Sequence, residues 1–222
     1  LNRAQQILRE EKMSSVKISD TALRRLPKYI YYLQQLKKEG RKYTSASEIA
    51  SVLNIHHTQV RKDFALTGLR GVPKVGHKVD DLLTALEGFL NWNNVSDVFL
   101  IGVGNIGKAL VNYNGFQKVG MKIVAAFDVA EEVIGTEINS IRVYSMTKMP
   151  NLADRLHIHI AILCTPSANA QEVASYLCEN GIRGIWNFTP EHLTVPDNVV
   201  VENVNIYPSL AVFSKKMANL KL

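Results

Sequence analysis

Between Leu26 and Lys38 the apolar residues Leu26, Ile30, Leu33 and Leu36 recur at helical spacing. Pro27 suits the first turn of that helix, and Gly40 suits its stop. Ser45-Ala46-Ser47-Glu48 is a capping box, and it predicts a short helix carrying Ile49, Ala50, Val52 and Leu53. A turn at Asn54-Ile55 follows. A third helix then turns Val60 and Phe64 inward and ends at Gly68. Two helices joined by so tight a turn, with a third before them, make a helix-turn-helix. The basic segment Leu69-Arg70-Gly71-Val72-Pro73-Lys74-Val75-Gly76-His77-Lys78 has the glycines and the proline of a hairpin loop, the wing of a winged helix. Leu82, Leu83, Leu86 and Phe89 supply a connecting helix.

From Asp97 the pattern becomes alternating strands and helices. Val98-Phe99-Leu100-Ile101 is an unbroken apolar run, as expected of a strand buried on both faces. It leads into Gly102-Val103-Gly104-Asn105-Ile106-Gly107 and a helix through Tyr113. The next strand runs from Lys122 to Phe127 and ends on Asp128; further strands are expected at Arg142–Tyr144, Ile158–Leu163, Gly184–Asn187 and Val199–Val201. Repeated β-α-β units with short loops predict an open parallel sheet. The fold class is therefore α/β: an N-terminal winged helix-turn-helix domain over residues 15–84 and a doubly wound, Rossmann-type parallel sheet over 85–206. A terminal helix in 207–222 carries Leu210, Phe213, Met217 and Leu220 on one stripe, an apolar face needing a partner.

Charge sharpens this division. The 222 residues carry a net charge of +6, with 46% hydrophobic and 21% charged residues. Residues 1–84 hold 16 basic and 8 acidic side chains, and residues 85–222 hold 10 and 12. A basic front joined to a mildly acidic remainder fits a nucleic-acid module attached to something else, although a solvated basic face would look the same. Apolar runs fall far short of the ~20 residues that cross a bilayer. No charged-then-apolar leader stands at the front, so no membrane or secretory role is expected. Cys164 and Cys178 have no Cys-x-x-Cys spacing and give neither a disulfide framework nor a zinc cage, which fits a reducing cytoplasm. Residues 1–12, ahead of Met13, read as upstream sequence and are left out of the functional reading.

The glycine motif is weak by itself, but here it follows a strand, opens a helix, and is answered by an acidic residue at the end of the next strand. Gly102 allows the tight turn, Gly104 lets a pyrophosphate approach the backbone, and Gly107 lets helix and strand pack closely. Asp128 would accept hydrogen bonds from the adenosine ribose and repel a 2′-phosphate, so NADH and NAD⁺ are favoured over the phosphorylated cofactors. Another adenosine ligand, such as coenzyme A, is the alternative. In the third helix His57, Thr58, Gln59, Arg61 and Lys62 lie away from Val60 and Phe64, as a DNA-reading helix requires. Ser45, Ser47, Arg70 and Lys74 complete the expected DNA contacts. Tyr144 and Lys148 have dehydrogenase-like spacing but lie on a strand end too soon after the glycine motif to converge with it. His157 and His159 lack a third metal ligand in register, and His192, near the expected nicotinamide end, has no carboxylate partner within reach in the sequence. No metal site and no catalytic residue are therefore assigned.

Across nearly all of residues 17–220 the chain resembles the Rex family of redox-sensing transcriptional repressors. The resemblance rests on Arg25-Leu26-Pro27-Lys28-Tyr29, Gln59-Val60-Arg61-Lys62-Asp63-Phe64, Gly102 to Gly107, Tyr113-Asn114-Gly115-Phe116, Gly181 to Pro190 and Val200 to Asn205. It implies a homodimer with C-terminal helices swapped between Rossmann domains, bound to an inverted-repeat operator and displaced by NADH, with NAD⁺ competing for the site. It also implies that Asn187, Phe188, Thr189 and Pro190 border the nicotinamide, that Val129, Thr165 and Pro166 lie beside the dinucleotide, and that Tyr113 changes partners between states. The chain departs from the family at Tyr31 and Asn205, where an Arg and an Asp pair in one state, and in the wing, where Thr67, Lys74 and His77 replace Phe, Gly and Tyr. A paralogue with an altered ligand response is one alternative; an NAD-dependent dehydrogenase with a basic front module is the other.

Overall fold

In a computed structural model of the chain, residues 18–220 are described, and they divide into two units between Asn93 and Asn94. Residues 1–17 and 221–222 lie outside the described residues, and with them Met13 and the outer ends of the first and last expected segments.

The N-terminal unit begins with the short helix α1 (Asp20–Leu23), capped by the Ser19 hydroxyl, which accepts from the Ala22 N–H. Helix α2 (Leu26–Lys38) has Pro27 in its first turn and buries Leu26, Tyr29, Ile30, Leu33 and Leu36. After strand β1 (Tyr43–Thr44) comes α3 (Ala46–Leu53), where the Ser45 hydroxyl accepts from the Glu48 N–H at 3.0 Å. Asn54 ends α3 in the left-handed conformation (φ 52°), which sets the tight turn into α4 (His57–Ala65). The expected wing is a narrow turn closed by two hydrogen bonds between Val72 and Gly76, with Lys74 at its tip at φ 65°. Strand β2 (His77–Lys78) returns antiparallel to β1. Helix α5 (Val79–Phe89) then packs on α2.

The unit ends at Asn93 and not at residue 84 as expected, because the second half of α5 belongs to this core. Leu86 is fully buried in it, and Phe89, Leu90 and Trp92 pack against it.

The second unit is built on the strands β3 (Ser96–Ile101), β4 (Met121–Asp128), β5 (Glu137–Ile138), β6 (Ile141–Ser145), β7 (Ile160–Leu163), β8 (Gly184–Asn187) and β9 (Val200–Asn203), in the order β5-β6-β4-β3-β7-β8-β9. All neighbours are parallel except the β5–β6 hairpin. Without β5 the order is that of a dinucleotide-binding sheet, and it reverses between β3 and β7. Strand β3 shows the double winding: Phe99 and Ile101 enter a core with α7 (Met149–Leu156) and α8 (Ser167–Glu179), while Val98 and Leu100 enter another with α6 (Asn105–Val111).

Three expectations need correction. The helix after the glycines ends at Val111, with Asn112 as its cap, short of Tyr113. Strand β7 starts at Ile160 and not at Ile158, since His157 caps α7 at φ 52° and the Ile158 N–H still bonds the Ala153 carbonyl. The last strand starts at Val200, and Val199 closes a turn onto Pro196 instead. The final helix, α9 (Tyr207–Ala218), buries none of its residues.

Candidate functional site

At the carboxyl end of β3, next to the point where strand order reverses, Gly102 turns the chain at φ 91°. A Cβ there would press on the Cys164 carbonyl at 2.8 Å. A Cβ on Gly107 would collide with the Gly102 carbonyl oxygen, so this glycine permits α6 to close on the turn. Gly104, the cap of α6, is different: a Cβ there would meet nothing within 4 Å. Its open side belongs to a cleft of about 570 Å³ lined by Gly102, Gly104, Asn105, Ile106, Asp128, Val129, Thr165 and Pro166.

Eight expected residues thus meet in one place. Val103 and Gly107 lie behind them, the former buried with its N–H donating to Asp128 Oδ2 at 2.6 Å. Asp128 Oδ1 accepts from the Val129 and Ala130 N–H groups at 2.7 and 3.0 Å. The carboxylate therefore ties the glycine turn to the end of β4, besides facing the cleft. Ile101, Phe127, Met146, Cys164, Asn169 and Val173 also line the cleft, and sequence reasoning missed them. The signal was available: Phe127, Met146 and Cys164 lie at or just beyond the carboxyl ends of β4, β6 and β7, which a parallel sheet brings to one edge.

The Thr165 hydroxyl is buried there without a hydrogen-bond partner, a state that a polar ligand would relieve. Burial pushes the Cys164 thiol up to about 12, so it is no nucleophile at neutral pH.

Tyr113, Asn187, Phe188, Thr189 and Pro190 do not line this cleft. Asn187 is fully buried and closes its own turn: its Nδ2 donates to the Glu191 carbonyl and Asn203 Oδ1, and its Oδ1 accepts from the Thr189 N–H and hydroxyl. Phe188 packs edge-on against Trp186 at 4.9 Å, Pro190 is exposed, and Tyr113 is 60% exposed. The Arg142 and Lys148 cations sit 5.8 and 6.0 Å from the centroid of the Tyr144 ring. His159 Nδ1 meets the Gly181 carbonyl at 3.0 Å, and His192 is exposed. Asn205 Oδ1 accepts from the Tyr207 N–H at 2.8 Å and so caps the approach to α9; Tyr31 is 66% exposed on α2.

In the N-terminal unit, α4 exposes His57, Thr58, Arg61 and Lys62, while Val60 and Phe64 anchor its other side. Ser47 lies exposed in the first turn of α3, the Ser45 hydroxyl is committed to its cap, and Arg70 and Lys74 are exposed on the wing. Gln59 is half-buried, with Nε2 donating to Asp63 Oδ1 at 2.8 Å. Asp63 itself was not singled out as a site residue. It is buried on α4, clasped by Arg25 through Nε and Nη2 at 2.7 and 2.8 Å and by the Tyr29 hydroxyl at 2.7 Å. Burial would raise this carboxyl, but the hydrogen bonds from Arg25, Tyr29 and Gln59 and the Arg25 charge hold it below the usual carboxylate range. His56, also unforeseen, caps α4 and engages the Thr58 hydroxyl at 2.7 Å. At the base of the wing the His77 ring meets Phe64 edge-on at 5.3 Å, its Nδ1 buried without a partner, and burial lowers its pKa.

These features define a class: a winged helix-turn-helix unit followed by a doubly wound sheet with a dinucleotide-type cleft. The redox-sensing transcriptional repressors Rex of Bacteroides fragilis and Treponema denticola are 36% and 39% identical to the chain, over 91% and 90% of it and 92% and 95% of their own lengths. The chain belongs to the Rex family of redox-sensing transcriptional repressors, regulators and not enzymes. Residues 17–65 match the family described as “Putative DNA-binding protein N-terminus”, and residues 93–191 match “CoA binding domain”. Among solved structures, that of RSP with NADH has a TM-score of 0.83, and that of RSP with NAD⁺ and operator DNA 0.86. Both are 34% identical and cover 91% of this chain, and 95% and 94% respectively of their own.

Proposed function

We propose that this protein is a redox-sensing transcriptional repressor of the cytoplasm: its winged helix holds operator DNA, and NADH in the cleft of the second unit releases it. The observation that carries the reading is the cleft at the strand-order reversal, where open Gly104 stands with Asp128 and the unpartnered Thr165 hydroxyl. Gly104 gives a pyrophosphate access to backbone N–H groups, and the Asp128 carboxylate, already holding the glycine turn, meets the adenosine ribose. The residues Asn187 to Pro190 lie outside the cleft within one chain, and the reading places them at the nicotinamide when two chains join. Such a homodimer forms through α9, whose apolar Leu210, Phe213 and Met217 stay exposed among the described residues of a single chain. Arg61, Lys62, Thr58, His57, Arg70 and Lys74 carry the DNA contacts, with Ser45 and Ser47 at the first turn of α3 beside a phosphate.

NADH does nothing chemical in this scheme. It favours one spacing of the two winged helices over another, and a preference of ~1–3 kcal/mol suffices for a useful effector.

Fluorescence anisotropy on a labelled inverted-repeat duplex at fixed salt, titrated with NADH, NAD⁺ and coenzyme A in turn, tests the reading. Release by NADH alone is expected. Release by coenzyme A and not by NADH would replace the ligand, and binding indifferent to all three would remove the sensor. Asp128→Ala is expected to weaken NADH binding while leaving operator affinity intact; equal loss of both would count against two separable modules. Arg61→Ala is expected to lower DNA affinity and its salt slope by about one charge, with NADH affinity unchanged.

A further inference from the structure

Asp63 receives four hydrogen bonds, two on each oxygen: Oδ2 from Arg25 Nε and the Tyr29 hydroxyl, and Oδ1 from Arg25 Nη2 and Gln59 Nε2. An ionised carboxylate only accepts, and four bonds fill its lone-pair sites. The orientation of the Gln59 side-chain amide follows. Turned over, it would set its own carbonyl oxygen against Asp63 Oδ1 at 2.8 Å, two acceptors with no proton between them. Gln59 is the third residue of α4 and is half-buried, and with Nε2 committed to Asp63 its carbonyl oxygen Oε1 is the amide atom left to meet a donor from outside.

We propose that Asp63 is a positioning residue for base reading: it takes the Gln59 amide nitrogen and leaves Oε1 to accept a hydrogen bond from an exocyclic base amine in the major groove. In that groove adenine N6 and cytosine N4 are the amine donors, while guanine and thymine present acceptors at the corresponding edge. Gln59 thereby selects adenine or cytosine at one position of each half-site. The clasp also crosses the fold, since Arg25 and Tyr29 lie at the start of α2. The orientation is thus imposed from the core outward and does not wait for DNA. This inference rests on the DNA-binding reading of α4.

The test selects duplexes from a randomised pool with the full chain, at one salt concentration, comparing wild type with Gln59→Met and Asp63→Asn. Wild type should enrich adenine or cytosine at one position per half-site, and Gln59→Met should lose that preference and no other. At that position, a base analogue without the exocyclic amine should cost wild type about tenfold in affinity and Gln59→Met nothing. The side-chain amide introduced by Asp63→Asn can donate as well as accept, so the Gln59 amide is free to turn over and the position should admit guanine or thymine. A purely structural role for Asp63 would instead lower affinity for every sequence equally, and that result overturns the proposal. Should Asp63→Asn fail to fold, the Gln59→Met comparison on the analogue decides. Enrichment of guanine or thymine by wild type, or an analogue penalty equal in both proteins, overturns the inference and leaves DNA binding intact. Failure of wild type to enrich any duplex overturns the DNA-binding reading itself.

Discussion

His77 shows how one side chain makes the N-terminal unit sensitive to pH. Its ring is wedged between Phe64 of α4 and Gly71 at the root of the wing, and burial lowers its pKa below 6.5. The unfolded chain then takes up a proton before the folded one does. The His77 contribution to stability is complete above about pH 6.5 and is lost as the pH falls through the folded value. Denaturant unfolding of wild type and His77→Phe between pH 7.5 and 5.5 checks this: the difference between them should narrow or reverse toward pH 5.5, and parallel curves would refute it. Asp63 acts lower on the scale. Its carboxyl is depressed, so its contribution is complete above about 3.8 and is lost below. Asp63→Ala at neutral pH should cost ~3–5 kcal/mol, since it leaves the Arg25 charge without its partner. Neither role was legible from sequence. Asp63 sits in a stretch that reads as a basic helix, and its cation comes from Arg25, 38 residues away. Local periodicity says nothing about a partner at that distance.

Elements were far more legible than partners. The capping box, the Asn54 turn and the Val60/Phe64 pair each encode local geometry, and α3 and α4 form where they predict. Unbroken apolar strands likewise announce a sheet covered on both faces. What periodicity could not show were the two-residue β5, too short to have a period, and the loop that replaces a helix between β8 and β9. The glycine turn tests how specific the local code is. Gly104 has φ −73° and open space around a future Cβ, whereas Gly107 has none. Gly104→Ala should therefore unfold like wild type yet bind NADH at least tenfold more weakly, because the methyl occupies the place of the pyrophosphate. Gly107→Ala should destabilise the second unit by ~1–3 kcal/mol, through overpacking against the Gly102 carbonyl. Nucleotide titration beside thermal unfolding separates the two. Equal destabilisation by both would mean that the glycines serve the turn alone.

At the scale of the whole molecule one element among the described residues is not explained by the fold of its own chain. Helix α9 follows the last strand with Phe213, Leu210 and Met217 exposed by 59, 54 and 39%, although its stripe of apolar residues is that of a core-facing helix. Burying such side chains contributes ~1.5–3 kcal/mol each, so a symmetric exchange of two helices would supply enough to hold a dimer. Pairing through α9 also bears on DNA. A dimer reads both halves of an inverted repeat at once, whereas a monomer reads one, and joining the halves raises affinity by ~10²–10⁴. Phe213→Asp, which sets a charge in the middle of that stripe, should therefore give a folded monomer by sedimentation. Its affinity for the inverted repeat should fall at least a hundredfold, toward that for a single half-site, where wild type and variant should differ little. A monomeric variant that kept full affinity for the repeat would mean that the two winged helices bind independently. The release by NADH would then have to arise within one chain, and α9 would have some other partner.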